Sequence, residues 1–166
     1  MLFKTYQKLL GASCLALCLV GCGNGESPVG MSVNSKGAFQ ISSKVDSVTI
    51  QGVKLNRGNC AVNFVSIGES DLFIVALILD QVTPISIQDF KDMASAYKIF
   101  KNDQVDQKKT LANIANKISQ LEQKGVMMEP QALKFGEKRE GISQGCDIIE
   151  AEIQTDKGAW TFNFDK

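Results

Sequence analysis

The 166-residue chain is predicted to form an α+β domain, in which an antiparallel sheet of five to six strands carries a one- or two-helix insertion. Residues 41–84 and 130–164 contain apolar and polar residues in alternation, the period of a half-buried strand. Residues 86–124 instead repeat apolar residues every three or four positions, as an amphipathic helix does. Cys60 and Cys146 begin two of the predicted strands and are expected to form one disulfide.

Residues 1–21 are predicted to be an export signal. Lys4 and Lys8 precede an almost wholly apolar run at 9–20, which is too short to cross the roughly 30 Å of hydrocarbon in a bilayer. The segment is therefore predicted to direct export and then to be removed.

The end of this signal, Leu19-Val20-Gly21-Cys22, resembles the lipobox of bacterial lipoproteins. That resemblance implies cleavage before Cys22 and attachment of diacylglycerol and palmitate-type chains to this cysteine. No aspartate follows, so it implies the outer membrane, with the domain in the periplasm or at the cell surface. The membrane is thus an expected partner through Cys22.

Residues 22–40 are predicted to be a flexible tether after the acylated cysteine. Their Gly, Ser, Asn and Pro with scattered single apolar residues are typical of segments that bury no core. The single α+β domain is then expected to cover residues 41–166, with the helical insertion at about 86–124.

The first predicted strand contains Val48 and Ile50, and its apolar parity changes at a predicted bulge at 51–52. A turn at 56–59 leads to a predicted strand at 60–64. Residues 72–79 are apolar at every position, which predicts a central strand covered on both faces.

The helical insertion begins with Ser86 and Asp89, spaced as in a capping box, and Gly125 is a predicted C-cap. Its apolar stripe fits one long helix if polar residues occupy two positions of the seam. It also fits two helices folded as a hairpin around 102–106, with Asp106 as the second N-cap. Both arrangements stay open at this point.

The chain returns to β structure after residue 130, with predicted strands at 133–135 and 146–155 around a charged loop at 136–145. A hairpin turn at 156–158 precedes the last strand. The apolar residues of that strand share one face and are predicted to be core rather than a stacking platform: Trp160, Phe162 and Phe164.

Five cysteines are present. Cys14 and Cys18 lie in the signal and Cys22 is the predicted lipidation site, which leaves Cys60 and Cys146. An exported protein meets an oxidising compartment, so these two are expected to form a structural disulfide. A redox or metal role is not favoured, because the chain has neither a CxxC motif nor a histidine.

Composition argues against several classes of function. Zero histidine removes the usual general base and most catalytic zinc sites. The 18 basic and 18 acidic residues give no cationic surplus for nucleic acid. Glu150 and Glu152 share one strand face and are predicted to be solvated rather than a catalytic pair. We therefore expect no catalytic residues, no cofactor, no metal and no nucleic-acid partner.

Three cations beside predicted turns are candidate contacts for a protein partner: Arg57, Lys138 and Arg139. The competing interpretation is that they are ordinary soluble turn residues. The helical insertion is the other candidate partner surface, because a scaffold often carries its binding surface on an insertion between strands.

Two segments, VKLNRGNC at 53–60 and TDKGAWTF at 155–162, resemble small uncharacterised lipoproteins of proteobacterial mobile elements. With the lipobox, this resemblance implies a non-catalytic protein-binding or structural module of the cell envelope, linked to conjugation or exclusion, with an envelope protein as partner. The alternative is an immunity or hydrolase-inhibitor lipoprotein that blocks a cell-wall-degrading enzyme. The lipoprotein lysozyme inhibitors are similar in their small β domain and disulfide, and here the blocking loop would carry Lys138 and Arg139.

Overall fold

The structure is a computed structural model that describes residues 25–65, 83–99 and 105–164, and these residues have the predicted α+β fold. Their strands form two antiparallel sheets rather than one. Sheet 1 contains, in spatial order, β1 (Val29–Val33), β2 (Ala38–Ser43) and β5 (Lys138–Ile142). Sheet 2 contains, in spatial order, β4 (Gln131–Lys134), β3 (Ser47–Leu55), β6 (Glu150–Thr155) and β7 (Gly158–Asn163). The helices are α1 (Ile87–Ile99) and α2 (Val105–Gln123).

The main core contains the inner faces of both sheets. Its fully buried side chains include Ile41 of sheet 1 and Ile50 and Ile153 of sheet 2. Phe39 meets Phe64 edge to face, with ring centroids 5.7 Å apart. A side chain at Gly141 would place its Cβ 2.2 Å from the Phe39 ring, so glycine is required where β5 passes that ring.

The predicted bulge is confirmed. The pairing of β3 with β6 shifts register between Ile50 and Gly52, and Ile50 and Val53 on the two sides of the shift are both buried. The bulge therefore moves the apolar parity of β3 by one residue and keeps both halves of the strand in the core.

The prediction of a flexible tether through residue 40 is wrong from Val29 onward. β1 pairs over its whole length with residues 39–43 of β2, and Val29 and Phe39 are buried in the core. The turn between the strands is closed by Asn34, whose Oδ1 accepts hydrogen bonds from Lys36 N and Ala38 N at 2.9 and 3.0 Å. The domain thus begins at Val29 and not at residue 41.

The helical insertion is a hairpin, so the single long helix is wrong. α1 and α2 pack through a second apolar cluster around Phe90, Ile114 and Leu121. Residues 100–104, which contain most of the predicted junction, lie outside the described residues. A bridge between Ser86 and Met128 closes the base of the hairpin.

Both predicted caps of the helical hairpin are confirmed. Ser86 Oγ accepts a hydrogen bond from Asp89 N, and Asp89 Oδ2 accepts one from Ser86 N, both at 2.9 Å. Gly125 adopts φ 67°, and Val126 N donates to Leu121 O at the C-terminus of α2.

Three further predictions are wrong, and a fourth lies outside the described residues. Residues 60–64 form only isolated bridges, and the predicted loop at 136–145 contains strand β5. The strand predicted at 146–155 begins only at Glu150, and Ile149 just before it is 54% exposed. The predicted central strand at 72–79 lies outside the described residues.

Candidate partner-binding cleft and anchor-side end

The predicted disulfide is confirmed. Cys60 and Cys146 are bonded across a sequence separation of 86 residues, with their Cα atoms 5.9 Å apart. The bond fixes the segment that follows β3 to the segment that leads into β6.

Beside the disulfide, Asn56 holds the turn after β3 against the start of β6. Its Nδ2 donates to Asp147 O at 2.7 Å, and its Oδ1 accepts from Ile149 N at 2.9 Å and Glu150 N at 3.1 Å. Asn56 has φ 46°, in the left-handed region that asparagine tolerates better than most residues. Asn56 is therefore a structural residue of this corner.

The predicted contact residue Arg57 lies on the same turn and pairs with Glu150, with Nε 3.2 Å from Oε1. Its side chain is 83% exposed, and an ion pair so exposed contributes little to stability. Arg57 thus remains accessible at this corner of the fold, which contains the turn at Asn56 and the Cys60–Cys146 bond and which we call the disulfide corner.

The other two predicted contact residues lie elsewhere, on sheet 1. Lys138 and Arg139 belong to β5 and pair with Ser42 and Ile41, so they form no protruding loop. Arg139 is half-buried, and its Nε has no hydrogen-bond partner within the described residues. The structure therefore does not bring Arg57, Lys138 and Arg139 into one site.

The outer face of β6 carries the two glutamates in ion pairs. Glu150 pairs with Arg57, and Glu152 Oε1 lies 3.7 Å from Lys54 Nζ. On the opposite face, the predicted core stripe of β7 is half-buried, and Phe162 and Phe164 contact the main core. The prediction of core residues is thus confirmed in part, for Phe162 and Phe164, while Trp160 is half-buried without belonging to the core cluster.

A cleft of about 470 Å³ lies between the disulfide corner and the base of the helical hairpin. Val53, Val62 and Met128 supply its apolar base, and Met127, 37% exposed, also lines it. We call this feature the hairpin cleft. It lies in the size range of ligand and peptide sites.

Charged side chains from both helices also line the hairpin cleft. Lys91 of α1 and Glu122 of α2 are exposed there. The wall opposite the helices is the extended segment at Cys60 and Ala61, which the disulfide holds in place. The cleft therefore combines an apolar base with two positive groups, Lys54 and Lys91, and one negative group, Glu122, which suits recognition of a protein surface.

The hairpin is held over this cleft by the buried carboxylate of Asp89. The carboxylate accepts hydrogen bonds from Phe64 N at 3.1 Å and from Ser86 N at 2.9 Å. It also accepts from Ile85 N at 3.1 Å and from Asn63 Nδ2 at 3.3 Å. These donors come from both sides of the cleft, so Asp89 connects the first helix to the β segment beneath it.

A second cleft, of about 560 Å³, lies on sheet 1 beside Phe39 and Phe64. Gln40 Nε2 donates to Glu140 Oε1 at 2.8 Å across it, so these two lining side chains already satisfy each other. The hairpin cleft is the better candidate because it includes the insertion predicted to bind a partner.

The start of β1 lies at one end of the sheets, together with the turns 44–46 and 135–137. We call this the anchor-side end, after the predicted lipidation site that precedes β1 in the sequence. Ser43 connects the two turns, because its N donates to Glu137 O and its O accepts from Gly136 N, both at 3.0 Å. Lys44 N donates to Pro28 O at 2.8 Å. The predicted lipidation site, Cys22, lies outside the described residues.

Within the described ranges, no three His, Cys, Asp or Glu side chains are grouped to hold a metal ion. Neither α1 nor α2 has the length and apolarity of a helix that crosses a membrane. Comparison of the chain with protein-family models, curated proteins and solved structures gives no match.

Proposed function

We propose that this chain is a lipid-anchored lipoprotein of the cell envelope that acts as a non-catalytic protein-binding module, with its partner bound at the hairpin cleft. The observation that carries the proposal is the lining of that cleft. Exposed Met127 lies beside an apolar base, and Lys91 and Glu122 supply charges of opposite sign. Methionine adapts its shape to a partner, and charges around an apolar centre select the orientation of binding.

The partner that this chemistry favours is a protein of the envelope, in an assembly for conjugation or exclusion as the resemblance of 53–60 and 155–162 implies. The hydrolase-inhibitor alternative is not favoured, because it requires Lys138 and Arg139 on a protruding loop. Both residues are instead paired with β2. A side chain whose Nε is buried, as in Arg139, is poorly placed to enter the active site of another protein.

The proposed anchor predicts the behaviour of a Cys22→Ser variant. Without the thiol no acyl chain is attached, and the loss of about 0.8 kcal/mol per buried methylene moves the protein from the membrane to the soluble fraction. Cell fractionation and the intact mass of the purified protein measure this change. An unchanged membrane fraction for Cys22→Ser would contradict the anchor.

The proposed partner site predicts the pattern of photo-crosslinking in intact cells. A photoreactive amino acid at Ala61, an exposed residue of the hairpin cleft, is expected to give one discrete adduct. The matched control is Ala159, an exposed alanine on β7. Lys91→Glu is expected to lower the Ala61 yield by about tenfold, the effect of roughly 1.4 kcal/mol of binding free energy.

Lys36→Glu, on the turn between β1 and β2, serves as the charge control and is expected to leave the yield unchanged. Mass spectrometry identifies the adduct in each case. Equal adducts from Ala61 and Ala159, or a yield insensitive to Lys91→Glu, would contradict binding at the hairpin cleft.

A further inference from the structure

The anchor-side end carries an aromatic side chain held out from the fold. Phe135 is 70% exposed and lies in the turn between β4 and β5. Gly136 follows with φ 78°, and nothing lies within 4 Å of the position of a Cβ there. The turn thus holds Phe135 in open surroundings, where an apolar ring contributes nothing to the core.

The short connection to Cys22 determines what this end of the domain faces. The chain is folded from Ser27 onward, where Ser27 Oγ donates to Val29 O at 2.8 Å. Ser27 is five residue steps after Cys22, which span at most about 18 Å when fully extended. A cysteine acylated at position 22 therefore keeps the anchor-side end close to the bilayer.

Phe135 lies close to the point where this connection enters the fold. Lys44 N donates to Pro28 O, and Gly136 N donates to Ser43 O, so the entry of the chain and the turn bond to two adjacent residues. Because neighbouring strands lie about 4.8 Å apart, the entry and the turn are separated by roughly two strand spacings. Phe135 is therefore well within the reach of the connection to Cys22.

The charged side chains at this end are compatible with a bilayer surface, but they provide no strong electrostatic attraction between the domain and anionic lipids. Lys44, Lys134 and Lys138 are exposed around the turn, and their long side chains can place ammonium groups among lipid headgroups. Glu26, Asp46 and Glu137 are also exposed and balance these charges. Contact with lipid thus depends on the aromatic ring rather than on anionic headgroups.

We propose that Phe135 inserts into the interfacial region of the bilayer that holds Cys22. This insertion fixes the domain in one orientation, with the anchor-side end against the lipid. This inference rests on the proposed function, because it needs the lipid anchor. The hairpin cleft lies beside Val53 and Lys54, at the far end of β3 from the turn at 44–46, so the cleft stays available to a protein partner.

The test uses tryptophan fluorescence of the full-length lipidated protein in phosphatidylcholine vesicles with brominated acyl chains. The one natural tryptophan is replaced by Trp160→Phe, and a new one is introduced by Phe135→Trp. The matched control is Lys36→Trp, on the exposed turn at the other end of β1. Each protein is compared in brominated and unbrominated vesicles.

We expect Phe135→Trp to lose on the order of half of its emission to the bromines, because interfacial side chains lie roughly 5–10 Å deep. Lys36→Trp is expected to keep its emission. Vesicle flotation is measured on the same samples. Flotation without quenching of Phe135→Trp, or with equal quenching of both variants, overturns the insertion and leaves the anchor intact. Failure to float overturns the anchor and the insertion together.

Discussion

The Asp89→Asn variant is expected to unfold with a free energy about 3 kcal/mol lower than the wild type, because a buried carboxylate loses one of its two acceptor oxygens. Asp89 is 3% exposed, and its carboxylate accepts hydrogen bonds from backbone N–H groups and from the Asn63 amide. An amide NH₂ in place of an oxygen would face these donors and leave some of them unpaired. Urea unfolding followed by circular dichroism measures the loss.

Asp92→Asn is the matched control for this variant, one turn further along α1. The Asp92 carboxylate instead accepts hydrogen bonds from side chains, from Asn63 Nδ2 at 2.7 Å and from Gln88 Nε2 at 2.8 Å. Gln88 is half-buried and can rotate toward water, and Asn63 keeps its hydrogen bond to Asp89, so the expected cost is about 1 kcal/mol or less. Equal losses for the two variants would show that Asp89 has no special role in holding the hairpin.

Hydrogen exchange separates loss of the hairpin from loss of the whole fold. If Asp89 connects the hairpin to the β segment, amides of α1 and α2 should lose protection in Asp89→Asn before those of β3 and β6. Uniform loss in helices and strands would instead indicate a single cooperative unit.

The features that the sequence predicted correctly depend on residues close together in the chain. Ser86 and Asp89 form a capping box across three residues, and Gly125 supplies a positive φ at one position. The bulge near Gly52 follows from the change in apolar parity within one strand. The disulfide is the exception, because it joins residues far apart in the chain. It was predicted correctly because Cys60 and Cys146 were the two cysteines left without another role.

The errors in the fold concern strands whose pairing partners lie far away in sequence or among polar residues. β1 alternates Val29, Met31 and Val33, but Gly and Ser between them have the composition of a linker. β5 is short and charged, and it becomes a strand because it pairs with β2 about a hundred residues earlier, as in Gln40 with Glu140. Composition alone does not contain that pairing.

The candidate site was predicted in part. The disulfide and the helical insertion both contribute to the hairpin cleft, with Cys60 on one wall and Lys91 on the other. Met127 and Phe135 were missed because their positions look like ordinary core. Met127 directly precedes the buried Met128, and Phe135 follows the buried Leu133 by two residues, in phase with it on the predicted strand at 133–135. Their exposure results from the turns that carry them, which periodicity does not describe.

The second large effect is expected from the disulfide. The Cys60→Ala/Cys146→Ala double variant should unfold with a free energy about 4 kcal/mol lower than the oxidised wild type, because the bond closes a loop of 86 residues in the unfolded chain. Both cysteines are half-buried at the corner where Asn56 also holds the start of β6. The measurement is urea unfolding under non-reducing conditions.

The reduced wild type is the control, because it removes the constraint without removing the sulfur atoms. If restriction of the unfolded chain dominates, the reduced protein and the double variant should have unfolding free energies within about 1 kcal/mol of each other. A double variant as stable as the oxidised protein would mean that the corner is held by Asn56 and the strand pairs alone. Loss of the Ala61 crosslink in a double variant that remains folded would further indicate that the disulfide positions the wall of the hairpin cleft.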